Sequence, residues 1–159
     1  MSYIFELLTY VGYFLLWTFV IYWVHRLAHM FKIPIVTKMH WDHHKQVNAH
    51  AIKGWHWSNF FLFNDTWRST ADLWLTEVIP TLLFCWLTGQ WWLFALYYLW
   101  AALIQEAIEH NPKFNFYPWL TSGKWHLIHH SDAKKNYGVF FPIWDIIFKT
   151  SSRLKEPRS

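Results

Sequence analysis

The sequence predicts an all-α integral membrane bundle: about three transmembrane helices under a cytoplasmic, histidine-rich helical cap. Three observations carry that prediction. Hydrophobic residues make up 54% of the chain and aromatics 23%, against 15% charged, where soluble domains carry about 25% charge. Three apolar runs approach or reach the length of about 20 residues that spans a bilayer as a helix. All 14 Lys and Arg residues lie outside those runs, between Arg26 and Arg158. At 159 residues the chain reads as one membrane domain, 1–159.

The first run, Tyr3–Val24, carries one charge, Glu6, near its start. It is too long for a signal-peptide core, has no basic start and lacks a small-residue cleavage site, so it reads as a retained span (about 3–24). The segment 55–72, "WHWSNFFLFNDTWRSTAD", mixes aromatics with polar residues and reads as an interfacial helix. The alternative is a segment that dips into the bilayer. A second run, 73–87, carries Glu77 and Pro80; at this length it spans only with tilt or interfacial entry. Thr88-Gly89-Gln90 separates it from the third run, 91–108, giving a hairpin that turns at Gly89. The cap is then 25–54 and 109–150. The positive-inside rule places the N-terminus and the Gly89 turn outside and the C-terminus in the cytoplasm. The short, unfused chain points to a bacterial inner membrane, or to the endoplasmic reticulum if the source is eukaryotic.

A single cysteine, Cys85, excludes an internal disulfide and a thiolate cluster. The net charge of +4 forms no basic stripe interleaved with polar surface, so it fits lipid headgroups better than nucleic acid.

The chemistry lies in the histidines. Nine of the eleven form an ordered set: His25 and His29 in "HRLAH", His40, His43 and His44 in "HWDHH", His110 in "EAIEHN", and His126, His129 and His130 in "HLIHH". Positions i, i+3 and i+4 share one face of a helix, so each box aims its imidazoles one way. The first box continues the first span, and His110 follows the third. So many clustered imidazoles without a cation would leave acceptors unpaired, or repel one another if protonated. Nine are too many for one ion and about right for two. Imidazole suits Zn, Cu, Fe and Ni, and two irons with open positions for oxygen are the leading reading.

The order H-x3-H, H-x2-H-H, a later His, then H-x2-H-H resembles the fatty acid hydroxylase / sterol desaturase superfamily. The tail "NYGVFFPIWDIIFKT", Asn136–Thr150, is similar to that family's Asn-Tyr-Gly…Trp-Asp…Phe-Gly-Thr ending, with Lys149 where the second Gly is usual. The resemblance covers about His25 to Thr150. It implies an integral-membrane, oxygen-dependent di-metal enzyme of a kind that hydroxylates, desaturates or cleaves lipid substrates; the main reading is a di-iron oxidoreductase that hydroxylates a C–H bond of an acyl, sterol or other lipid chain, with molecular oxygen as co-substrate. It maps the catalytic, metal-holding histidines onto His25, His29, His40, His43, His44, His110, His126, His129 and His130. Some members carry a further histidine where this chain has Glu106, which is either an added ligand or an acceptor that orients an imidazole. Asp42, Asn136 and Asp145 are candidates to support ligands from behind; Asp132 reads better as a turn former. His50 and His56 lie outside the boxes and read as interfacial polar contacts. Trp55, Trp57, Phe60 and Phe61 line either a lipid channel or the lipid itself.

The chain has no haem motif, iron–sulfur cysteines or dinucleotide fingerprint. Electrons therefore come from a separate ferredoxin, cytochrome or reductase, and Lys134 and Lys135 offer an acidic donor a basic face. A lipid desaturase shares the same metal site. The rival of another class is a membrane metal or proton transporter, which the boxes' position at span ends, rather than at mid-bilayer, disfavours.

Overall fold

A computed structural model describes residues 3–31, 33–49 and 54–152. His50 lies outside them. Among the described residues the chain is helical, without strands, and three helices are long and apolar enough to cross a membrane. In a hydrocarbon layer every backbone polar group must be satisfied within the chain, which a helix achieves by itself.

Helix α1, Tyr3–Met30, has 28 residues and is about 42 Å long, against a hydrocarbon core of about 30 Å. Its N-terminal half exposes Ile4, Phe5, Leu7, Leu8, Val11, Leu15 and Leu16, a surface suited to lipid tails. Its C-terminal half buries Trp17, Ile21, Tyr22 and His25. Because α1 outlasts the hydrocarbon, its last turns carry His25 and His29 to the membrane face. Helix α2, Pro34–Ala49, follows; proline at a helix start forfeits no hydrogen bond.

The stretch expected to form one interfacial helix does otherwise. A short 3-10 turn, Trp57–Phe61, is capped by His56. A membrane-length helix, α3, then begins early, at Trp67, and runs to Thr88. The Thr66 hydroxyl starts it by accepting from the Ser69 amide at 3.2 Å, an N-cap that the aromatic composition masks. The second arm therefore has 22 residues instead of the expected 15-residue run from Leu73 to Leu87. Gly89 ends it in the left-handed region (φ 72°), its amide donating to the Cys85 carbonyl. Helix α4, Trp91–Ile108, returns.

Both arms contain one π-helical stretch, Trp74–Val78 in α3 and Ala101–Gln105 in α4. Such a stretch re-aims the side chains that flank it. Pro80 lies just beyond the first, in the opening turn of the resumed α-helix, where its missing N–H does least harm. The core between α1, α3 and α4 holds Trp17, Ile21, Val78, Cys85, Leu93 and Tyr97, with the Trp17 indole N–H donating to Thr81 at 3.0 Å. Phe140, from the tail, packs on Trp17 at 4.8 Å between ring centroids. Two short helices, α5 (Lys124–Ser131) and α6 (Ile143–Ile147), complete the cap.

Candidate metal centre

Four chain segments meet where the spans reach the cap. The end of α1 supplies His25 and His29, α2 supplies His40, His43 and His44, the residues after α4 supply His110, and α5 supplies His126, His129 and His130. Seven of these nine are buried, while His29 and His43 are partly covered. Their ring nitrogens form two sets. His25, His29, His40, His44 and His129 have ligand atoms within 4.8 Å of one another, as do His43, His110, His126 and His130. The i, i+3, i+4 stripes are split between the sets: α2 sends His40 and His44 to one and His43 to the other, and α5 sends His129 to one and His126 and His130 to the other. His44 and His130 adjoin across the divide, ring centroids 4.2 Å apart.

Hydrogen bonds from behind fix which nitrogen faces inward. His25 Nδ1 meets the Tyr137 carbonyl at 2.8 Å, and His129 Nδ1 meets the Lys135 carbonyl at 2.7 Å. A carbonyl only accepts, so both Nδ1 atoms carry the proton and both Nε2 atoms present lone pairs. His40 Nδ1 lies 2.9 Å and 3.1 Å from the two Asp72 oxygens, which holds His40 in the same tautomer.

The donor set fits a cation. His29 Nε2 sits 2.7 Å from His40 Nε2 and 3.0 Å from His129 Nε2. Those two neighbours are lone pairs, and a single ring N–H satisfies at most one of them. His130 Nε2 is likewise shared between His110 Nε2 at 3.1 Å and His126 Nε2 at 3.0 Å. Both nitrogens of the buried His44, and Nδ1 of His29, His126 and His130, lack any hydrogen-bond partner in the protein. Ligands about 2.1 Å from one ion stand about 3.0 Å apart when adjacent at right angles and up to about 4.2 Å apart when opposite. Three of the four nitrogen separations match the short end of that range, and the His29–His40 pair is slightly tighter. Burial, and after it the neighbouring imidazoles, pushes His40, His44, His110, His126, His129 and His130 well below the ordinary histidine pKa. That shift favours the neutral ring, the form that binds metal.

A wall of polar groups that the histidine boxes do not announce backs the second set. Gln105 Nε2 donates to both Glu77 oxygens at 3.1 Å and 3.2 Å and to Glu109 Oε2 at 3.0 Å. The two π-helical stretches turn Glu77 and Gln105 toward each other. A cavity of about 30 Å³, room for a water or two, lies between this wall, Asp72 and the histidines. The signal that finds Asp72, Glu77 and Glu109 in a sequence is their occurrence inside or at the ends of membrane-length runs, where ionisable residues are expensive and functional.

The remaining candidates take other partners. Asp42 faces Arg68 at 3.2 Å and Lys45 at 3.8 Å instead of an imidazole. Glu106 accepts from the Asn64 side chain at 2.6 Å with one oxygen, and it also has a ligand atom within 4.8 Å of those of Glu109 and His110. Asn136 donates to the Trp125 carbonyl and accepts from the Ser152 amide, which ties the tail to α5. Asp145 accepts from the Tyr137 and Gly138 amides, both at 2.8 Å, and from the Thr150 hydroxyl at 2.7 Å. It supports His25 indirectly, by pinning the loop whose carbonyl holds that ring. Gly138 is required there, because a Cβ would stand 2.8 Å from Asp145 Oδ2 and 2.6 Å from the Phe141 carbonyl. His56 is exposed and caps its 3-10 turn. Trp55, Trp57, Phe60 and Phe61 are exposed, and the Trp55 indole donates to the Ala102 carbonyl in the π-helical stretch of α4 at 2.7 Å. Lys134 is exposed beside the loop that touches His129.

A family model for "Fatty acid hydroxylase" matches residues 10–150, a stretch that takes in all nine histidines and the Asn136–Thr150 tail. No curated protein and no solved structure gives a match.

Proposed function

The chain belongs to the fatty acid hydroxylase family, and on that premise we propose that it is an oxygen-dependent di-iron hydroxylase of membrane lipids. The observation that carries the proposal is the convergence of nine imidazoles into two adjoining sets at one end of three membrane-length helices. His25, His29, His40, His44 and His129 would hold one iron, and His43, His110, His126 and His130 the other. Bound iron supplies the capacity to reduce dioxygen and oxidise an unactivated C–H bond. Overall, one oxygen atom enters the C–H bond and the other leaves as water, with two electrons and two protons drawn from outside the chain.

The protein's own part is positioning. Asp72, Tyr137 and Lys135 hold the protons of His40, His25 and His129 on Nδ1 and leave Nε2 bare. Asp145 keeps the Tyr137 loop in place. The buried site excludes bulk water, and the exposed apolar faces of the spans set it against lipid chains. Residues 1–159 form a single membrane domain in this reading, with the N-terminus outside and the histidines facing the cytoplasm. A separate ferredoxin, cytochrome or reductase delivers electrons to that face, with Lys134 and Lys135 in the approach.

The test is product analysis under isotopically labelled dioxygen. Membranes from cells expressing the chain should contain a lipid that gains one labelled oxygen and that is missing with the H129A variant. An unsaturated, unlabelled lipid would assign the desaturase reading. No change in any lipid, from iron-loaded protein supplied with reductant, would contradict the proposal.

A further inference from the structure

The two histidine sets are unequal, with five rings in one and four in the other. The smaller set has a carboxylate at its edge. Glu109 is buried, and its Oε1 stands 3.8 Å from His126 Nε2. That is too long for a hydrogen bond. It lies within the separation of about 3.0–4.2 Å that two ligands of one ion adopt. His126 Nε2 is itself one corner of the chain of contacts running through His130 to His110, and a ligand atom of Glu109 also lies within 4.8 Å of one from His110.

The surroundings hold Glu109 in that position. Gln105 Nε2 occupies the other oxygen, Oε2, leaving Oε1 turned toward the histidines. The Glu109 carbonyl accepts from the Gly123 amide at 2.8 Å. Gly123 immediately precedes α5, so this bond sets Glu109 in register with His126. Only glycine serves there: φ is 76°, and a Cβ would stand 2.3 Å from the Phe114 carbonyl oxygen. Glu106 also offers a ligand atom within 4.8 Å of those of Glu109 and His110, with its Oε1 held by Asn64; the 3.8 Å approach to His126 is what singles out Glu109.

We infer that Glu109 completes the four-histidine set as its fifth ligand, so that one ion is held by imidazoles alone and the other by four imidazoles and a carboxylate. The inference rests on the reading of nine histidines as a two-ion centre. It makes the centre chemically asymmetric: the carboxylate offsets part of the charge of its ion inside a low-dielectric site, whereas five neutral rings offset none. Gln105 is then a positioning residue that aims the carboxylate.

The experiment is anaerobic iron(II) titration of the detergent-purified full chain against a competing chelator, read as ions bound and their affinities. Wild type should bind two ions. E109Q should hold one unchanged and bind the other about tenfold or more weakly, since loss even of a supporting partner weakens a site on that scale. E106Q should keep both, with a smaller loss of affinity than E109Q; an equal or larger loss in E106Q would overturn the choice of Glu109. Two ions bound by E109Q with wild-type affinity would overturn the carboxylate ligand while leaving the two-ion reading intact. Fewer than two ions on folded wild type would overturn both. Should E109Q fail to fold, infrared difference spectra of E77Q/E106Q protein carrying isotopically labelled glutamate decide the matter: Glu109 is then the labelled carboxylate beside the histidines, a labelled stretch that shifts on iron loading supports the ligand, and its absence overturns it.

Discussion

His40 and Asp72 meet at 2.9 Å across 32 positions of sequence, one on α2 and the other inside α3. Both are buried. The pair joins the histidine-rich cap to a membrane-length helix and fixes the ring's proton on Nδ1. Asp72→Ala should weaken the ion of the five-histidine set by about 10- to 100-fold, with Asp72→Asn intermediate. Chelator competition measures both, and unchanged affinity in Asp72→Ala would show that the tautomer is held by other means.

His129 has Nδ1 on the Lys135 carbonyl and Nε2 against His29. His129→Ala should abolish activity and lose one ion together. His56→Ala is the control. Its ring caps an exposed 3-10 turn, so the loss should be no more than about 1 kcal/mol of stability, with iron content and turnover unchanged.

Asp145 satisfies two buried backbone N–H groups and one hydroxyl. Asp145→Ala strands them, at a cost of about 2–4 kcal/mol, and frees the loop that anchors His25. The expected result is a lower thermal midpoint in detergent and weaker binding in the five-histidine set. A lower midpoint with full iron affinity would confine the role of Asp145 to folding.

Lys149 is exposed and adopts φ 55°, a conformation that costs an L-residue about 1–2 kcal/mol. The family ending that the tail resembles has Gly there, and the positive φ gives that residue a physical reason. Lys149→Gly should stabilise the chain by up to about 1 kcal/mol, net of the greater freedom glycine has when unfolded. A calorimetric scan shows the sign.

The apolar runs are legible as helices because a bilayer admits few alternatives, and the boxes are legible because ligand spacing follows helix geometry. The start of α3 is hidden, since Thr66 looks like one more polar residue in a mixed aromatic stretch. Glu77 reads as a blemish in an apolar run; only the π-helical stretches of α3 and α4 turn it toward Gln105, 28 positions on. A one-residue change in helical register has no local signature in the sequence. Glu106 holds the position that the family resemblance singles out; one of its oxygens accepts from Asn64, 42 positions away, and it keeps a ligand atom within 4.8 Å of those of Glu109 and His110. The partition of each box between two sets is also tertiary: neighbouring His43 and His44 turn to different sets, His44 to the one built on His25 and His29 of α1 and His43 to the one built on His110 after α4, while α5 contributes to both.

The most direct test of the central claim is the iron content of folded, detergent-purified protein expressed with iron. The nine histidines predict about two irons per chain, falling in the His129→Ala variant. One iron or none bound to folded wild-type protein that has been offered excess iron(II) would contradict the two-ion centre and the hydroxylase built on it.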